Sequence, residues 1–160
     1  MKNGVNIQDY LIEHSGLDWA ALLEEWSWLL PPKSKVLFLT RAGDLFVELP
    51  DQSVQMLDVG LGELQRVAAD QNELHKMISE PDVAREWLMM PVVDQLVANG
   101  LELGSDQCYG FRQLPIFGGA YSVENRVVLP VREHLGASGC LHRQVAELPD
   151  GAKVRIELTE

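Results

Sequence analysis

The chain has 160 residues, 46% of them hydrophobic, so it can bury a core without the disulfides or metals that short chains need. Thirteen Lys and Arg against 24 Asp and Glu give a net charge of −11, which disfavours nucleic acid and anionic lipid, since both require cationic side chains against phosphates. No apolar run could cross a bilayer and the first residues lack the core of a signal peptide, so we expect a cytoplasmic protein with no membrane or nucleic-acid partner.

The N-terminal part of the chain predicts two helices. Apolar residues at helical spacing indicate a short helix over residues 6–14 and a longer one that begins after Asp18 and ends at Pro31. The Asp18 carboxylate is placed to cap the second helix. We expect one domain over residues 1–160, with residues 1–16 as a loosely attached N-terminal segment.

Between residues 35 and 58 the pattern changes to that of strands. Residues 36–39 form an unbroken apolar run, and residues 44–49 alternate between apolar and polar side chains. A third run covers residues 53–58, and short turns rich in Gly, Pro and Asp separate the three. We therefore predict three antiparallel strands joined as a meander.

Helical spacing returns after Gly60. The predicted helices cover residues 61–68, 70–78, 79–88 and 91–97. Asp70 and Glu73 form a capping-box pattern at the start of the second of these helices. Pro91 predicts either a kink or the start of a new helix.

The last part of the chain predicts strands around one further helix. Residues 107–125 indicate a strand, a glycine turn and a second strand, and residues 138–148 indicate a helix. A turn at 149–151 leads to a final strand over 154–158. This order predicts an α+β fold, with helices packed against a mostly antiparallel sheet.

Groups that could carry chemistry are few and widely spaced. His134 and His142 lie eight residues apart with Cys140 between them, a looser spacing than that of most zinc-ligand pairs. Cys108 falls on a predicted buried strand, where a thiol usually acts as a small hydrophobe. The Gly118-Gly119 pair lacks the lysine and following helix of a phosphate loop. We predict no catalytic residue, no metal site and no cofactor, with a thiol or metal enzyme as the least favoured alternative.

The segment from Gln107 to Asn125, QCYGFRQLPIFGGAYSVEN, resembles the signature of a bacterial family. That family forms the C-terminal domain of type VI secretion DNase-immunity proteins, often behind a GAD-like region. Weaker matches extend the resemblance over roughly residues 17–156, and the topology is similar to that of the broader SUKH group. The resemblance implies a structural role for the signature residues: Cys108, Tyr109, Gly110, Phe111, Gly118, Gly119, Tyr121 and Asn125.

The resemblance also implies a function. It points to a non-enzymatic protein that binds and neutralises a cognate secreted toxin, which we expect to be a basic nuclease. An acidic surface would speed encounter with such a partner. The candidate contacts are acidic residues on turns and strand edges, together with one tryptophan outside the apolar face of its helix: Asp44, Glu48, Asp51, Asp58 and Trp28.

Two interpretations stay open at this point. Trp28 is either an exposed contact residue or a side chain packed under the N-terminal segment. The function is either toxin neutralisation or that of a regulatory or small-ligand-binding module. The second function predicts a pocket near Gly118-Gly119, lined by Tyr109, Phe111 and Tyr121.

Overall fold

A five-stranded antiparallel sheet, in the order β1-β2-β3-β4-β5, forms the centre of this computed structural model, which describes residues 6–148. Its strands are β1 (Leu11–Ile12), β2 (Lys35–Thr40), β3 (Leu45–Glu48), β4 (Val54–Asp58) and β5 (Glu63–Ala68). A second sheet pairs β6 (Gln107–Phe111) with β7 (Arg126–Pro130). The α-helices of this part of the chain are α1 (Trp19–Leu22), α2 (Gln71–Ile78), α3 (Pro81–Trp87), α4 (Met90–Ala98) and α5 (Val131–Ala146). The predicted α+β class is confirmed.

The five-stranded sheet is buried on both faces because its strands carry apolar residues on each side. Phe46 packs in a core cluster with residues of α2, α3 and α4. Its neighbours Leu45 and Val47 belong to a second cluster, which includes Trp26 and Leu135. Successive side chains of a strand point to opposite faces, so the two clusters lie on opposite sides of the sheet.

The predicted meander is confirmed in the register of β2, β3 and β4. Leu45 lies opposite Leu39 on one neighbouring strand and opposite Leu57 on the other. All three leucines are fully buried in the second cluster. This row of leucines ties the three strands to the layer formed by α1 and α5.

The prediction of a helix over residues 61–68 is wrong, since Glu63–Ala68 forms β5, antiparallel to β4. A tight turn precedes it, in which the Gly62 N–H donates to the Asp58 carbonyl at 2.8 Å. The Asp58 carboxylate also accepts from the Leu61 N–H at 3.1 Å. Pairing with β5 satisfies the backbone groups on that side of β4. Over so short a run, the apolar spacing fits a strand as well as a helix.

The N-terminal residues also depart from the predicted helix over 6–14. A 3₁₀ turn at Ile7–Tyr10 is followed by β1, which pairs with β2 through Leu11 opposite Thr40. Backbone pairing at the sheet edge therefore replaces helical hydrogen bonding here. The single domain and the loose attachment of residues 1–16 stay predictions.

The helix that begins after Asp18 is shorter than predicted. The Asp18 carboxylate accepts from the Ala21 N–H at 3.2 Å, so the predicted cap is confirmed. The α-helix nevertheless ends at Leu22 and a 3₁₀ turn follows at Glu24–Trp26. Trp26 is fully buried, and its Nε1 donates to the Leu135 carbonyl at 2.9 Å. We infer that this tertiary contact with α5 overrides the local helical pattern.

Helices α2, α3 and α4 follow the predicted pattern closely. The Asp70 carboxylate accepts from the Glu73 N–H at 2.9 Å, and the Glu73 carboxylate accepts from the Ala69 N–H at 3.0 Å. Met89, with φ of 50°, adopts the left-handed conformation between α3 and α4. Pro91 then falls in the first turn of α4, where its missing N–H leaves no helical hydrogen bond unmade.

Helix α5 begins at Val131, so its predicted start at residue 138 is wrong. Gly139 lies inside the helix and allows a close approach to the 3₁₀ turn. A Cβ there would stand 2.8 Å from both the Glu25 carbonyl oxygen and Trp26 Nε1. The predicted turn at 149–151 and strand at 154–158 lie outside the described residues. Over residues 6–148, no helix is long and apolar enough to cross a membrane.

Candidate functional site

The signature loop, residues 112–125, connects β6 to β7 and is closed by Asn125. The Oδ1 of Asn125 accepts from the Gln113 N–H at 2.9 Å. Its Nδ2 donates to the carbonyls of Gln113 at 2.7 Å and Ala120 at 2.6 Å. One side chain thus satisfies three backbone groups across the loop. The second predicted strand of this segment begins only at Arg126, because two 3₁₀ turns occupy part of the loop before it.

Gly118 and Gly119 form the turn of the signature loop. Gly118 has a φ of 94°, in the left-handed region that other residues rarely adopt. A Cβ on Gly119 would lie 1.9 Å from the Gln113 carbonyl oxygen. Any larger residue at Gly119 would therefore have to move the backbone of the loop.

Arg126 lies beneath the signature loop and is 2% exposed. Its guanidinium donates to the carbonyls of Ala42 at 3.0 Å, Tyr121 at 3.1 Å and Tyr109 at 3.3 Å. It also stacks over the Phe111 ring at 4.0 Å from the centroid. Burial lowers the pKa of Arg126. In the described part of the chain its hydrogen bonds go to these carbonyls and to a methionine sulfur, with no ion pair.

Asp44 joins two turns at the same end of the sheet. It is 6% exposed, and its carboxylate accepts from the Val59 N–H at 3.0 Å. Its own N–H donates to the Thr40 hydroxyl at 3.0 Å. Burial, together with the nearby charge of Asp58, raises the pKa of Asp44 to about 7. Asp44 therefore acts inside the fold, linking the β2–β3 turn to the β4–β5 turn.

Asp58 attaches the signature loop to the β4–β5 turn. The Tyr121 hydroxyl donates to its carboxylate, with oxygen–oxygen distances of 3.0 and 3.3 Å. Burial and the Asp58 charge raise the pKa of Tyr121, so the phenol keeps its proton. The Tyr121 ring also packs edge-on against Phe111, with centroids 5.7 Å apart.

His134 and His142 fasten α5 to the same two turns. The Nε2 of His134 donates to the Gly43 carbonyl at 2.9 Å, and the Nε2 of His142 donates to the Val59 carbonyl at 2.7 Å. A carbonyl only accepts, so both rings carry a proton on Nε2. Eight helical residues span about 12 Å, close to the roughly 10 Å across two strand spacings. Burial lowers the pKa of both rings, that of His134 to about 4.

The two cysteines occupy different surroundings. Cys108 is fully buried in the second core cluster, and burial raises the pKa of its thiol to about 12. A thiol with so high a pKa is a poor nucleophile. Cys140 is half-buried on α5, and its sulfur accepts from Gln144 Nε2 at 3.3 Å. Across residues 6–148, no group of three or more His, Cys, Asp or Glu side chains is arranged to hold a metal ion.

The structure does not gather the five predicted contact residues into one patch. Asp44 and Asp58 lie at one end of the sheet, in the interactions just described. Glu48 and Asp51 lie at the opposite end, where Glu48 accepts from Gln71 Nε2 at 2.8 Å and Asp51 accepts from the Ser53 N–H at 2.9 Å. Asp51 alone among the four acids is exposed.

Trp28 packs against the second core cluster. It is half-buried and stacks on Trp26, with centroids 6.0 Å apart and an interplanar angle of 22°. Its indole Nε1 is buried and has no hydrogen-bond partner among residues 6–148. The side chain therefore packs on the second core cluster while part of it reaches the surface.

A cavity of about 240 Å³ lies beside the signature loop. Phe111, Leu114 and Phe117 line it on the loop side, and Leu129 and Leu141 line it on the side of β7 and α5. It is smaller than the roughly 300–1,000 Å³ typical of ligand pockets. The two loop glycines, Tyr109 and Tyr121 are not among its lining residues.

The acidic helical layer, the surface of residues 69–106 that includes α2–α4, is rich in negative charge. It contains eight exposed carboxylates against two exposed cations, Lys76 and Arg85. The eight carboxylates belong to Asp70, Glu73, Glu80, Asp82, Glu86, Asp94, Glu102 and Asp106. Within residues 6–148 the one ion pair is Arg143–Glu25 at 3.4 Å, which lies elsewhere.

Sequence reasoning found the signature residues but not their main partner. It did not predict Arg126, which contacts the backbone of β6 and the loop, and it weighed His134 and His142 as metal ligands or partners of a catalytic thiol. Their spacing of eight residues was a signal of a shared helix face. Nothing local in the sequence marks the carbonyls of Gly43 and Val59 as their acceptors.

Comparison with known families gives one match. Residues 68–142 match the model of a family described as T6SS immunity protein Tdi1, C-terminal. The curated proteins contain no match. The matched residues include the acidic helical layer, β6, the signature loop, β7 and most of α5. The resemblance predicted from the Gln107–Asn125 segment is confirmed, since residues 68–142 of this chain are similar to the C-terminal region of a type VI secretion immunity protein family.

Proposed function

We propose that this protein is a type VI secretion immunity protein that binds a cognate secreted toxin and neutralises it without catalysis. The observation that supports the proposal is the match of residues 68–142 to the Tdi1 immunity family. The matched segment contains the whole signature loop, in which the Gln113 and Asn125 side chains bond to loop backbone and the Tyr121 hydroxyl bonds to Asp58. Those residues would preserve the fold, and the contacts to the toxin would come from other surfaces.

The toxin we propose is a basic nuclease in the bacterial cytoplasm. The net charge of −11 favours a cationic partner and speeds its encounter with this chain. A nuclease binds nucleic acid through Lys and Arg, and carboxylates can occupy the positions that phosphates would take. Burial of roughly 1,600 Å² in total is typical of such a stable complex.

Of the five predicted contacts, we propose that Glu48, Asp51 and Trp28 touch the toxin directly. Asp51 is exposed, while Glu48 and Trp28 keep part of their surface accessible. Asp44 and Asp58 would contribute indirectly, by holding the turns and the signature loop in place.

The test is a titration of toxin activity. A candidate nuclease toxin, sought among the genes adjacent to this one, would be purified, and its cleavage of DNA measured as the full chain is added. A binding protein should abolish cleavage at an equimolar ratio and co-elute with the toxin in size-exclusion chromatography. Protection by far less than one equivalent would indicate catalysis, and absence of both protection and complex would overturn the proposal.

A further inference from the structure

A groove of about 540 Å³ runs between the N-terminal segment and the helices α2, α3 and α4. Ile7, Pro81 and Pro91 contribute accessible apolar surface to its walls. Asp82 and Asp94 add two exposed carboxylates, both without an ion-pair partner among the described residues. The groove therefore combines an apolar surface with negative charge.

The walls of the groove are held in place by specific contacts. The Tyr10 hydroxyl donates to the Asp94 carboxylate at 2.6 Å, which joins the N-terminal 3₁₀ turn to α4. Burial and this bond raise the pKa of Tyr10 to about 12, so the contact persists at physiological pH. Pairing of β1 with β2 holds the same segment at the sheet edge. The groove is thus formed in the free protein.

The charge around the groove specifies the chemistry of its occupant. Arg85 is the one Lys or Arg among the lining residues, and the surrounding acidic helical layer has six more carboxylates than cations. A nucleic acid or an acidic peptide would be repelled by this surface. A segment that alternates basic and apolar residues would satisfy both the carboxylates and the apolar walls.

We propose that this groove binds a basic and apolar segment of the partner toxin. The identity of the partner rests on the proposed function, whereas the chemistry of the occupant rests on the groove itself. Apolar side chains of the segment contact Ile7, Pro81 and Pro91, and its Lys or Arg side chains pair with Asp82 and Asp94.

The probe is a short fluorescein-labelled peptide of alternating lysine and leucine, whose binding to the full chain is followed by fluorescence anisotropy. Two control peptides replace either lysine by glutamate or leucine by serine. We expect the lysine–leucine peptide to bind more tightly than both. Equal binding of the glutamate peptide would overturn the assignment of charge, and equal binding of the serine peptide would overturn that of the apolar walls.

Asp82→Lys and Glu86→Lys form a matched pair of variants. Both residues are exposed on α3 and both changes reverse one charge, but Glu86 does not line the groove. We expect Asp82→Lys to weaken peptide binding about tenfold and Glu86→Lys less than about threefold. Arg85→Gln should tighten binding. Equal losses of peptide affinity in the two lysine variants would overturn the groove assignment, because they would show that diffuse surface charge attracts the peptide.

Further outcomes separate this inference from the proposed function. Thermal unfolding of the variants confirms that they are folded before binding is compared. If the full chain prefers the lysine–leucine peptide over both control peptides but does not neutralise the toxin, the groove assignment holds and the proposed function fails. If Asp82→Lys neutralises the toxin with unchanged affinity, the groove assignment fails and the proposed function stands. A dimer of the wild-type chain that excludes the peptide would assign the groove to a second copy and overturn the proposal.

Discussion

The signature-loop end of the molecule and the acidic helical layer use polar residues in opposite ways. At the loop end, Asp44, Asp58, Arg126 and His134 bond to backbone groups or to Tyr121. In the helical layer, eight carboxylates face solvent, and none of them forms an ion pair among residues 6–148. Polar groups of the first region hold turns together, whereas in the second region Asp70, Glu73 and Asp94 accept hydrogen bonds and the other carboxylates face solvent.

The residues that identify the family therefore differ from the exposed residues that are available to bind a partner. The signature is rich in glycine because parts of its backbone leave no room for a side chain. At Gly119, for example, a Cβ would lie 1.9 Å from the Gln113 carbonyl oxygen. The acidic layer is ordinary in composition, and substitution of its carboxylates that make no such bonds, such as those of Glu86 and Glu102, would leave the fold intact. Under the proposed function, substitutions on a toxin-binding surface could therefore alter recognition while the signature is retained.

The largest expected effect is that of Gly119→Ala at the loop end. The new Cβ would overlap the Gln113 carbonyl oxygen and displace the backbone that Asn125 holds, so we expect a loss of about 3 kcal/mol in the free energy of unfolding. Urea denaturation would measure it as a lower midpoint with an unchanged slope. A wild-type midpoint in this variant would show that the loop backbone is mobile, which would weaken the contrast between the two regions.

The pH dependence of His134 comes next in size. Its pKa in the fold is about 4, below the ordinary 6.5, because it is buried as the neutral ring. Its contribution to stability is therefore complete above pH 6.5 and is lost as the pH falls through 4. His134→Gln keeps a donor for the Gly43 carbonyl but does not titrate, so the advantage of wild type over this variant should shrink by about 2 kcal/mol between pH 7 and 4.

Comparing His134→Gln with wild type at each pH isolates the histidine from Asp44. The Asp44 pKa is raised to about 7, so its preference for the neutral form favours the fold at low pH and is lost as the pH rises from about 4 to 7. The two residues thus oppose each other in the wild-type curve. A difference between wild type and His134→Gln that does not vary with pH would contradict the buried neutral histidine.

A smaller effect of the opposite sign is expected from Gly136→Ala on α5. No atom lies within 4 Å of a Cβ at Gly136, so alanine gains helix propensity without a clash, and we expect stabilisation of about 1 kcal/mol. Gly139→Ala on the same helix is the matched control, and it should destabilise because its Cβ meets Glu25 and Trp26. Thermal unfolding of both variants measures the difference, and equal effects would contradict the packing of α5 on the 3₁₀ turn.

The sequence predicted what depends on local pattern. The three meander strands, the caps at Asp18 and Asp70 and the restart of helix at Pro91 follow from turn residues, alternation and capping chemistry. The apolar residues of 61–68 fit both a strand and a helix. They form a strand because the backbone groups on one side of β4 pair with them. The helix after Asp18 failed for a similar reason, since the partner of Trp26 lies more than one hundred residues away on α5.

The candidate site was less predictable because burial is a property of the whole fold. Asp44 and Asp58 resemble surface acids in the sequence, yet the structure places one in the interior and bonds the other to Tyr121. The groove joins Tyr10 to Asp94, residues that no local pattern relates. Two features were recognisable in the sequence, namely the overall excess of acidic residues and the glycine-rich signature.

The smallest expected effect on stability tests the helical layer directly. Glu86→Gln with Glu102→Gln removes two exposed charges that make no ion pair among the described residues, so the free energy of unfolding should change by less than about 0.5 kcal/mol. The association rate with the purified toxin at low salt should nevertheless fall several-fold, because long-range attraction is reduced. Glu133→Gln with Glu147→Gln on the α5 side changes the net charge equally and is the matched control. A layer that faces the incoming toxin should be more sensitive than this control, whereas equal losses would mean that net charge alone attracts the toxin and that neither region is specialised for it.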